Sequence, residues 1–333
     1  MAIVLPSRDI DRPTQLLIDG FQRDFPIVAR PYAKIGARIG LSEAQVIERL
    51  AALSARGAVS RVGAVVRPHS AGCSTLAAVA APPDRIETIA ALIDAHEGVN
   101  HNYERENVWN LWFVVTGRDQ GDVDATLESI ARETRSPVLN LPLERSYHID
   151  LGFSIFDAPR EKPRAAPLKG KADADDRRVL GSIETGLALD PRPFALAALA
   201  AGLSENETMA RIAAMIERGV ITRFGVIVRH RAFGFTSNAM TVWDIDDAAV
   251  DEIGDMFARE PGVTLCYRRP RRAPHWRYNL FTMVHGRDRA SALAIVDRLA
   301  QVTGAASRAH DVLFSLRCFK QRGAVFSKRE AAE

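Results

Sequence analysis

The 333-residue sequence has few cysteines and no long apolar run. Cys73, Cys266 and Cys318 lie far apart with no CxxC or CxxH spacing, which excludes a disulfide framework or a structural zinc site as the organising feature. No stretch approaches the roughly 18 consecutive apolar residues of a transmembrane helix. The apolar start of the chain is interrupted at Pro6, too early for a signal-peptide core. The sequence therefore predicts a soluble, cytoplasmic protein.

Phosphate-binding glycine motifs are missing too. Neither GxGxxG nor a P-loop occurs, so the sequence does not point to a nucleotide cofactor. The composition, with 47% hydrophobic and 26% charged residues, is that of a globular protein of about two domains. A net charge of +3 is too small to demand or to exclude an anionic partner.

The chain is a tandem repeat. Residues 26–72 align without a gap with residues 188–234, and the Gly-Arg-Asp block at 117–119 aligns with that at 286–288. Between these blocks, the two copies have identical residues at Gly98 and Gly262, at Tyr103 and Tyr267, and at Arg105 and Arg269. Such self-similarity predicts two copies of one fold.

Each copy begins with a helix-turn-helix pattern. The expected elements of the first copy are helices at 13–24 and 31–39, a turn at Gly40, a third helix after Ser42 and a wing strand at 59–66. Ser42 is a favourable N-cap with Gln45 at the capping-box position, and Gly57 ends the third helix. Ser204 and Gly219 repeat these features in the second copy.

The remainder of the first copy alternates in the β-α-β-β-α-β order of a ferredoxin-like domain. The expected strands are 74–81, 99–103, 108–116 and 138–143, and the helices are 84–96 and 120–134. A last segment, 146–156, has its counterpart at 318–326. The fold class is therefore α+β: a tandem duplication in which each copy is a winged helix-turn-helix followed by a ferredoxin-like domain.

The segment between the copies is rich in proline, alanine and charge, as linkers are. The expected boundaries are 11–67 for the first helix-turn-helix, 74–156 for the first ferredoxin-like domain, 157–176 for the linker, 177–229 for the second helix-turn-helix and 236–327 for the second ferredoxin-like domain.

This order of domains, with the stretch GLSEAQVIERLAALSARGAVSRVGAVV, resembles the Lrp/AsnC transcriptional regulators. The resemblance implies a DNA-binding regulator, yet residues 42–48 and 204–210, which would enter the major groove, contain acids and no Lys or Arg. Carboxylates repel phosphates, so we do not expect DNA binding. An effector-sensing regulator of this type is the alternative hypothesis.

The later motifs resemble the siroheme decarboxylases in their fused NirD–NirL form. They are His101-Asn102-Tyr103-x-Arg105, Trp109-Asn110-Leu111-Trp112-Phe113, Tyr147-His148 and Tyr278-Asn279-Leu280-Phe281. The resemblance implies a carboxy-lyase that removes two acetate carboxyl groups of siroheme as CO2, giving 12,18-didecarboxysiroheme for heme d1 or alternative heme biosynthesis. It implies no added cofactor, since siroheme brings its own iron. It also implies an intrachain pseudo-dimer of the two copies, with higher association left open.

A substrate rich in carboxylates calls for arginines, and a flat macrocycle calls for apolar walls. The expected substrate-binding residues are Asn102, Trp109, Tyr267, Arg268, Arg269, Arg271, Arg272, His275, Trp276, Arg277, Tyr278 and Lys320. The expected catalytic residues are His101, Tyr103, Arg105 and His148.

Decarboxylation leaves an electron pair on carbon that must take up a proton, and His101 is the expected general acid. On one strand it would share a face with Tyr103 and Arg105. Leu265 stands at its place in the second copy, so we expect one competent site per chain. His275 could act as a second acid or as an axial iron ligand, and Cys266 as an iron thiolate is a further option. No protein metal site is expected.

Ordinary structural roles compete with each of these. His101 and His148 could be satisfied structural histidines, the tyrosines and tryptophans could be packing residues, and the arginine run could be a solvated or nucleic-acid-facing hairpin. Cys73 and Cys318 are expected to be buried apolar side chains. A sensor or carrier that binds heme or siroheme without turnover is a third functional hypothesis, which the sequence does not separate from the enzyme.

Overall fold

The computed structural model describes residues 5, 10–156, 168–304 and 307–323. Within these residues the chain forms two compact units. The helical unit comprises residues 5, 10–72, 152–156 and 168–234, and the sheet unit comprises residues 73–151, 235–304 and 307–323. Each unit therefore contains a part of both copies of the repeat.

The helical unit holds the two helix-turn-helix copies. Its elements are α1 (Arg12–Phe21), α2 (Pro31–Ile39), α3 (Glu43–Ala55) and β1 (Val59–Val66) from the first copy, and α6 (Ala174–Ser182), α7 (Pro193–Ala201), α8 (Glu205–Glu217) and β7 (Ile221–Val228) from the second. The expected capping box of Ser42 and Gln45 is present. Gly40, with φ of 75°, ends α2 in the left-handed region that glycine tolerates, which makes the tight turn into α3.

The expected wing strand pairs differently from a wing hairpin. β1 runs antiparallel to β7 of the other copy, with Gly63 opposite Gly225. Because these two glycines occupy the same position of the repeat, they mark the centre of a pseudo-twofold arrangement. A side chain on Gly225 would collide with the backbone oxygens of Phe21 and Gln22, so glycine permits this close packing.

The sheet unit has the expected ferredoxin-like element order in both copies. The first copy contributes β2 (Cys73–Val79), α4 (Ile86–Ala95), β3 (Val99–Arg105), β4 (Leu111–Gly117), α5 (Gln120–Thr134), β5 (Val138–Pro142) and β6 (Arg145–Ile149). The second contributes β8 (Ser237–Ile245), α9 (Val250–Arg259), β9 (Val263–Arg268), β10 (Leu280–Gly286), α10 (Arg289–Thr303) and β11 (Ser307–Gln321). The tandem α+β fold inferred from the sequence is thus confirmed.

These strands form one nine-stranded sheet in the order β5-β2-β4-β3-β11-β8-β10-β9-β6. The copies exchange their last strands, because β11 joins β8 of its own copy to β3 of the first, and β6 pairs with β9 of the second. β5 and β6 lie at opposite ends of the order but are adjacent in the chain. The sheet must therefore curl until its two edges meet, as a barrel does.

The two sheet faces are packed differently. One face is covered by the four helices of this unit and carries the cores around Phe113 and Trp243. The other face, which we call the inner face, carries a third apolar cluster that draws on both copies and includes Trp112, Tyr267, Trp276 and Phe281. Residues of the two faces alternate along each strand, as the pleat requires.

Several element boundaries differ from expectation. The first helix ends at Phe21 rather than residue 24, where Asp24 has a φ of 53°. β4 starts at Leu111 rather than residue 108, because the Asn110 side chain bonds both the N–H and the carbonyl of Ala81 and holds a turn. The expected linker at 157–176 lies outside the described residues at 157–167. Its end is helical, since α6 begins at Ala174. No helix among the described residues could cross a membrane.

Candidate functional site

Three of the expected catalytic residues lie together on the inner face. His101, Tyr103 and Arg105 alternate along β3, and the rings of His101 and Tyr103 stack with centroids 6.3 Å apart. The Arg105 guanidinium lies 5.4 Å from the centroid of the Tyr103 ring, and its Nη1 donates to the carbonyl of Leu313 on β11 at 3.1 Å. Burial lowers the pKa of Arg105, which is 5% exposed. The cation is thus held in a desolvated position that favours an anionic partner.

The second copy repeats this arrangement with one change. The Arg269 guanidinium lies 4.6 Å from the centroid of the Tyr267 ring, and Nη1 donates to the carbonyl of Leu141 on β5. The arginine of each copy therefore donates a hydrogen bond to a strand of the other copy. At the position of His101 the second copy has Leu265, which packs in the inner-face cluster. Among the described residues no partner is present for the buried Nε of Arg269.

An aromatic wall stands beside these pairs. Trp276 packs edge-on against Trp112 and Tyr278, with ring centroids 5.1 and 5.0 Å apart, and stacks with Phe281 at 6.0 Å. Trp276 is 3% exposed, and its indole Nε1 lacks a hydrogen-bond partner in the described part of the chain. A buried indole N–H without a partner is costly and suits a ligand acceptor. Trp109 joins the cluster half-buried.

Most arginines of the run at 268–277 bind acceptor groups of the protein itself. Arg271 and Arg277 both bind the buried carboxylate of Asp244, the latter at 2.6 Å. Burial raises the pKa of Asp244, but hydrogen bonds from Arg277 and Arg271 outweigh it, and the pKa is lowered overall. These two arginines hold the 269–279 loop against β8.

Arg268 and Arg272 are also engaged by the protein. Arg268 donates to Glu144 at 3.0 Å, and Arg272 donates to the carbonyl of Asn140 at 2.9 Å. Spacing in the sequence showed the density of arginines, but it could not show that carboxylates and carbonyls distant in the chain meet them. Of the run, Arg269 is the member on the inner face beside the tyrosines.

Asn102 and Lys320 lie on the helix-covered face. Asn102 donates to Asp94 of α4 at 2.9 Å, and the Lys320 ammonium donates to the carbonyls of Asp94 and His96 at the end of that helix. Strand alternation separates Asn102 from its neighbours His101 and Tyr103. The structure therefore does not bring these two residues together with the inner-face set.

His148 and Cys266 are opposite each other on β6 and β9. Cys266 is buried in the helix-side core, and its thiol contacts the carbonyl of Gly254. A cross-strand pair shares one face, so His148 is also on the side away from His101. His275 is exposed on the loop, its ring 6.5 Å from that of Trp109.

The expectation for two cysteines is corrected. Cys73 is half-buried, and Cys318 is exposed rather than buried. Cys318 lies opposite Tyr103 in the pairing of β11 with β3, which places it on the inner face beside Tyr103. A cysteine at a strand position suggests a core residue, and the sequence does not show that the Cys318 side chain is exposed on this face.

The inner face contains a further histidine, His285, that is not in the expected set. His285 near the end of β10 contacts Thr264 Oγ1 through Nδ1 at 3.0 Å and Asn238 through Nε2 at 3.3 Å. Burial and the nearby Arg105 charge lower the pKa of His285 to about 4. A signal existed, since His285 precedes the repeated Gly-Arg-Asp block where the first copy has Thr116.

The inner face thus combines groups that suit a flat, polyanionic ligand. Arg105 and Arg269 supply buried cations, and the indole of Trp276 supplies a further donor. The aromatic wall offers stacking surface, and His101 and the tyrosines offer groups that can transfer a proton. No cluster of metal-ligating side chains occurs among the residues that the structure describes.

Comparisons with known proteins were consistent over nearly the whole chain. A siroheme decarboxylase NirDL-like HTH domain model matches residues 15–59 and 176–221, and an AsnC-like ligand binding domain model matches residues 70–148 and 232–320. The siroheme decarboxylase NirDL subunit of Paracoccus denitrificans is 45% identical over 317 residues, 94% of this chain and 96% of that protein. The siroheme decarboxylase of Hydrogenobacter thermophilus is 28% identical over 310 residues, 90% of each.

Solved structures agree. A structure of the siroheme decarboxylase NirDL matches with a TM-score of 0.69 at 25% identity, covering 95% of both chains. A structure of the siroheme decarboxylase NirDL in complex with an iron-uroporphyrin III analogue matches with a TM-score of 0.67 at 26% identity, again over 95% of both.

Proposed function

The chain belongs to the siroheme decarboxylase NirDL family, and from this membership we propose that it converts siroheme to 12,18-didecarboxysiroheme by removing two acetate carboxyl groups as CO2. The observation that carries the proposal is the 45% identity to a siroheme decarboxylase over 94% of the chain. The inner face offers the reaction a buried arginine and an aromatic surface, and heme d1 or alternative heme biosynthesis is the corresponding route.

The substrate would lie against the inner face, where cations and stacking surface coincide. Arg269 supports this, because its buried Nε has no hydrogen-bond partner in the described residues and its guanidinium carbon lies 4.6 Å from the centroid of the Tyr267 ring. A substrate carboxylate there would receive charge-assisted hydrogen bonds. Trp276 supports it in the same way through its unpaired indole N–H. The proposed substrate-binding set is therefore Tyr267, Arg269, Trp276 and Tyr278, with Trp109 at its edge.

The chemical step balances without an external oxidant or reductant. The bond between the carboxylate carbon and the ring-bound methylene breaks, CO2 leaves, and the electron pair stays on the methylene carbon. One proton then converts this carbon to a methyl group. His101 is our candidate donor, with Tyr103 stacked on it and Arg105 beside Tyr103. Leu265 cannot serve in this role, so one half of the site carries the chemistry.

We propose that siroheme itself, with its iron, is the tetrapyrrole ligand and that no further cofactor takes part. The two copies act as one pseudo-dimer, since the sheet that bears the site is completed by exchanged strands. The alternative of a DNA-binding regulator gains no support from α3 and α8, the helices that would enter the major groove. Glu43 at the start of α3 pairs with Arg30, and Glu205 at the start of α8 pairs with Arg192.

The test is anaerobic incubation of the purified protein with siroheme, followed by mass spectrometry of the tetrapyrrole. The expected result is loss of one and then two CO2 from the substrate without pyridine nucleotide, flavin or added metal. Unchanged siroheme recovered from a folded, siroheme-saturated sample would leave the protein as a carrier.

A further inference from the structure

The helical unit contains a cavity that the proposed function does not use. Its volume is about 150 Å³, and it lies where α3 and β1 of the first copy meet residues 185–189 of the second. The residues Ser54, Ser60, Arg61 and Thr185 give it a polar side, and leucine and valine residues line the rest.

The duplication shows that this space is not imposed by the fold. Four residues that line the cavity are smaller than the residues at the equivalent positions of the other copy. They are Ser54 against Ile216, Val62 against Phe224, Thr185 against Arg23 and Leu187 against Phe25. At the second location the rings of Phe25 and Phe224 pack with centroids 5.9 Å apart. The same backbone arrangement therefore holds large side chains on one side and small ones around a cavity on the other.

The cavity lining is positively charged. Arg61 is its charged residue, and no Asp or Glu is among the lining residues. The Arg61 Nη2 donates to the carbonyl of Ala64 at 3.2 Å, but no partner for its buried Nε occurs among the described residues. Burial lowers the pKa of Arg61, as expected for a guanidinium without a nearby carboxylate. An anion would offset this cost.

We propose that this cavity binds a small aliphatic carboxylate. A cavity of about 150 Å³ accepts a molecule of roughly benzene's size. A branched acid of that size would direct its carboxylate towards Arg61 and the hydroxyl groups of Ser60 and Thr185, and its alkyl end towards Leu187 and Leu189. The site lies within the helical unit and does not depend on the siroheme reaction.

Isovalerate is the probe, and isovaleramide is its neutral match of nearly equal shape. Ligand-observed NMR or calorimetry on the full chain is expected to give saturable isovalerate binding in the millimolar range and binding of the amide weaker by about tenfold or more. Ser54→Ile fills the cavity with the residue of the second copy and should abolish binding. Arg61→Gln should weaken isovalerate by about tenfold and leave the amide unchanged.

Ala51→Ile is the control, because Ala51 is exposed on the same helix and the substitution places the same isoleucine side chain outside the cavity. It should bind like the unmodified protein, and thermal unfolding verifies that each variant is folded. If Ser54→Ile does not fold, the Arg61→Gln comparison still decides. Absence of saturable binding, equal binding of acid and amide, or full binding in folded Ser54→Ile would each overturn the proposal.

Discussion

Acidification is expected to destabilise the sheet unit through the imidazole of His285. The pKa of His285 is about 4 in the fold, against 6.5 for an unperturbed histidine, because the half-buried ring is desolvated and lies near the Arg105 cation. Between these values the unfolded chain binds a proton that the folded chain does not. The stabilisation is complete above pH 6.5 and is lost as the pH falls towards 4. The difference corresponds to about 3 kcal/mol of unfolding free energy.

The assay has two parts. An NMR titration of the histidine ring protons should give a His285 pKa of about 4, and urea unfolding of the sheet unit between about pH 7 and pH 4 should show the loss. His285→Asn removes the titrating ring and should flatten this part of the pH dependence. His275→Asn, at an exposed histidine of the same unit, is the control and should keep it. A His285 ring that titrates near 6.5, or an undiminished pH dependence in His285→Asn, would refute the reasoning.

Further variants separate binding, chemistry and stability. Arg269→Ala is expected to weaken siroheme binding by about 1–3 kcal/mol, measured by absorbance titration. Arg271→Ala should mainly lower thermal stability, because Arg271 forms an ion pair with Asp244. Equal losses of binding in the two variants would contradict this difference. His101→Ala should keep siroheme binding but lose about 10²- to 10⁴-fold in turnover under single-turnover conditions, and a near-normal rate would move the acid elsewhere. Lys320→Met should lower the melting temperature, since it frees carbonyls at the end of α4, while siroheme affinity stays unchanged; a loss of affinity in the folded variant would return Lys320 to the site.

Local signals in the sequence were sufficient for most elements. Ser42 with Gln45, Gly40 and Gly57 mark helix ends through short-range hydrogen bonds and backbone freedom, and the structure has those ends. The duplication also predicted paired copies. What the local pattern could not show was the exchange of β6 and β11, because strand pairing between copies depends on contacts far apart in sequence.

The sequence likewise predicted one part of the candidate site and not another. The alternation of His101, Tyr103 and Arg105 followed from strand geometry, and these residues do share the inner face. The arginine run was less informative, because a guanidinium is satisfied by whichever acceptor the fold brings to it, and Arg271 meets Asp244. His285 went unnoticed, since its burial depends on packing that one sequence does not display.

The central claim is that the protein decarboxylates siroheme at the inner face of its sheet unit. The most direct measurement is single-turnover mass spectrometry of anaerobic siroheme with excess protein, compared between the unmodified chain and Arg269→Ala. We expect sequential loss of two CO2 with the unmodified chain and, at equal siroheme concentration, a smaller converted fraction with Arg269→Ala. Siroheme that stays bound and unchanged in the unmodified chain would contradict it.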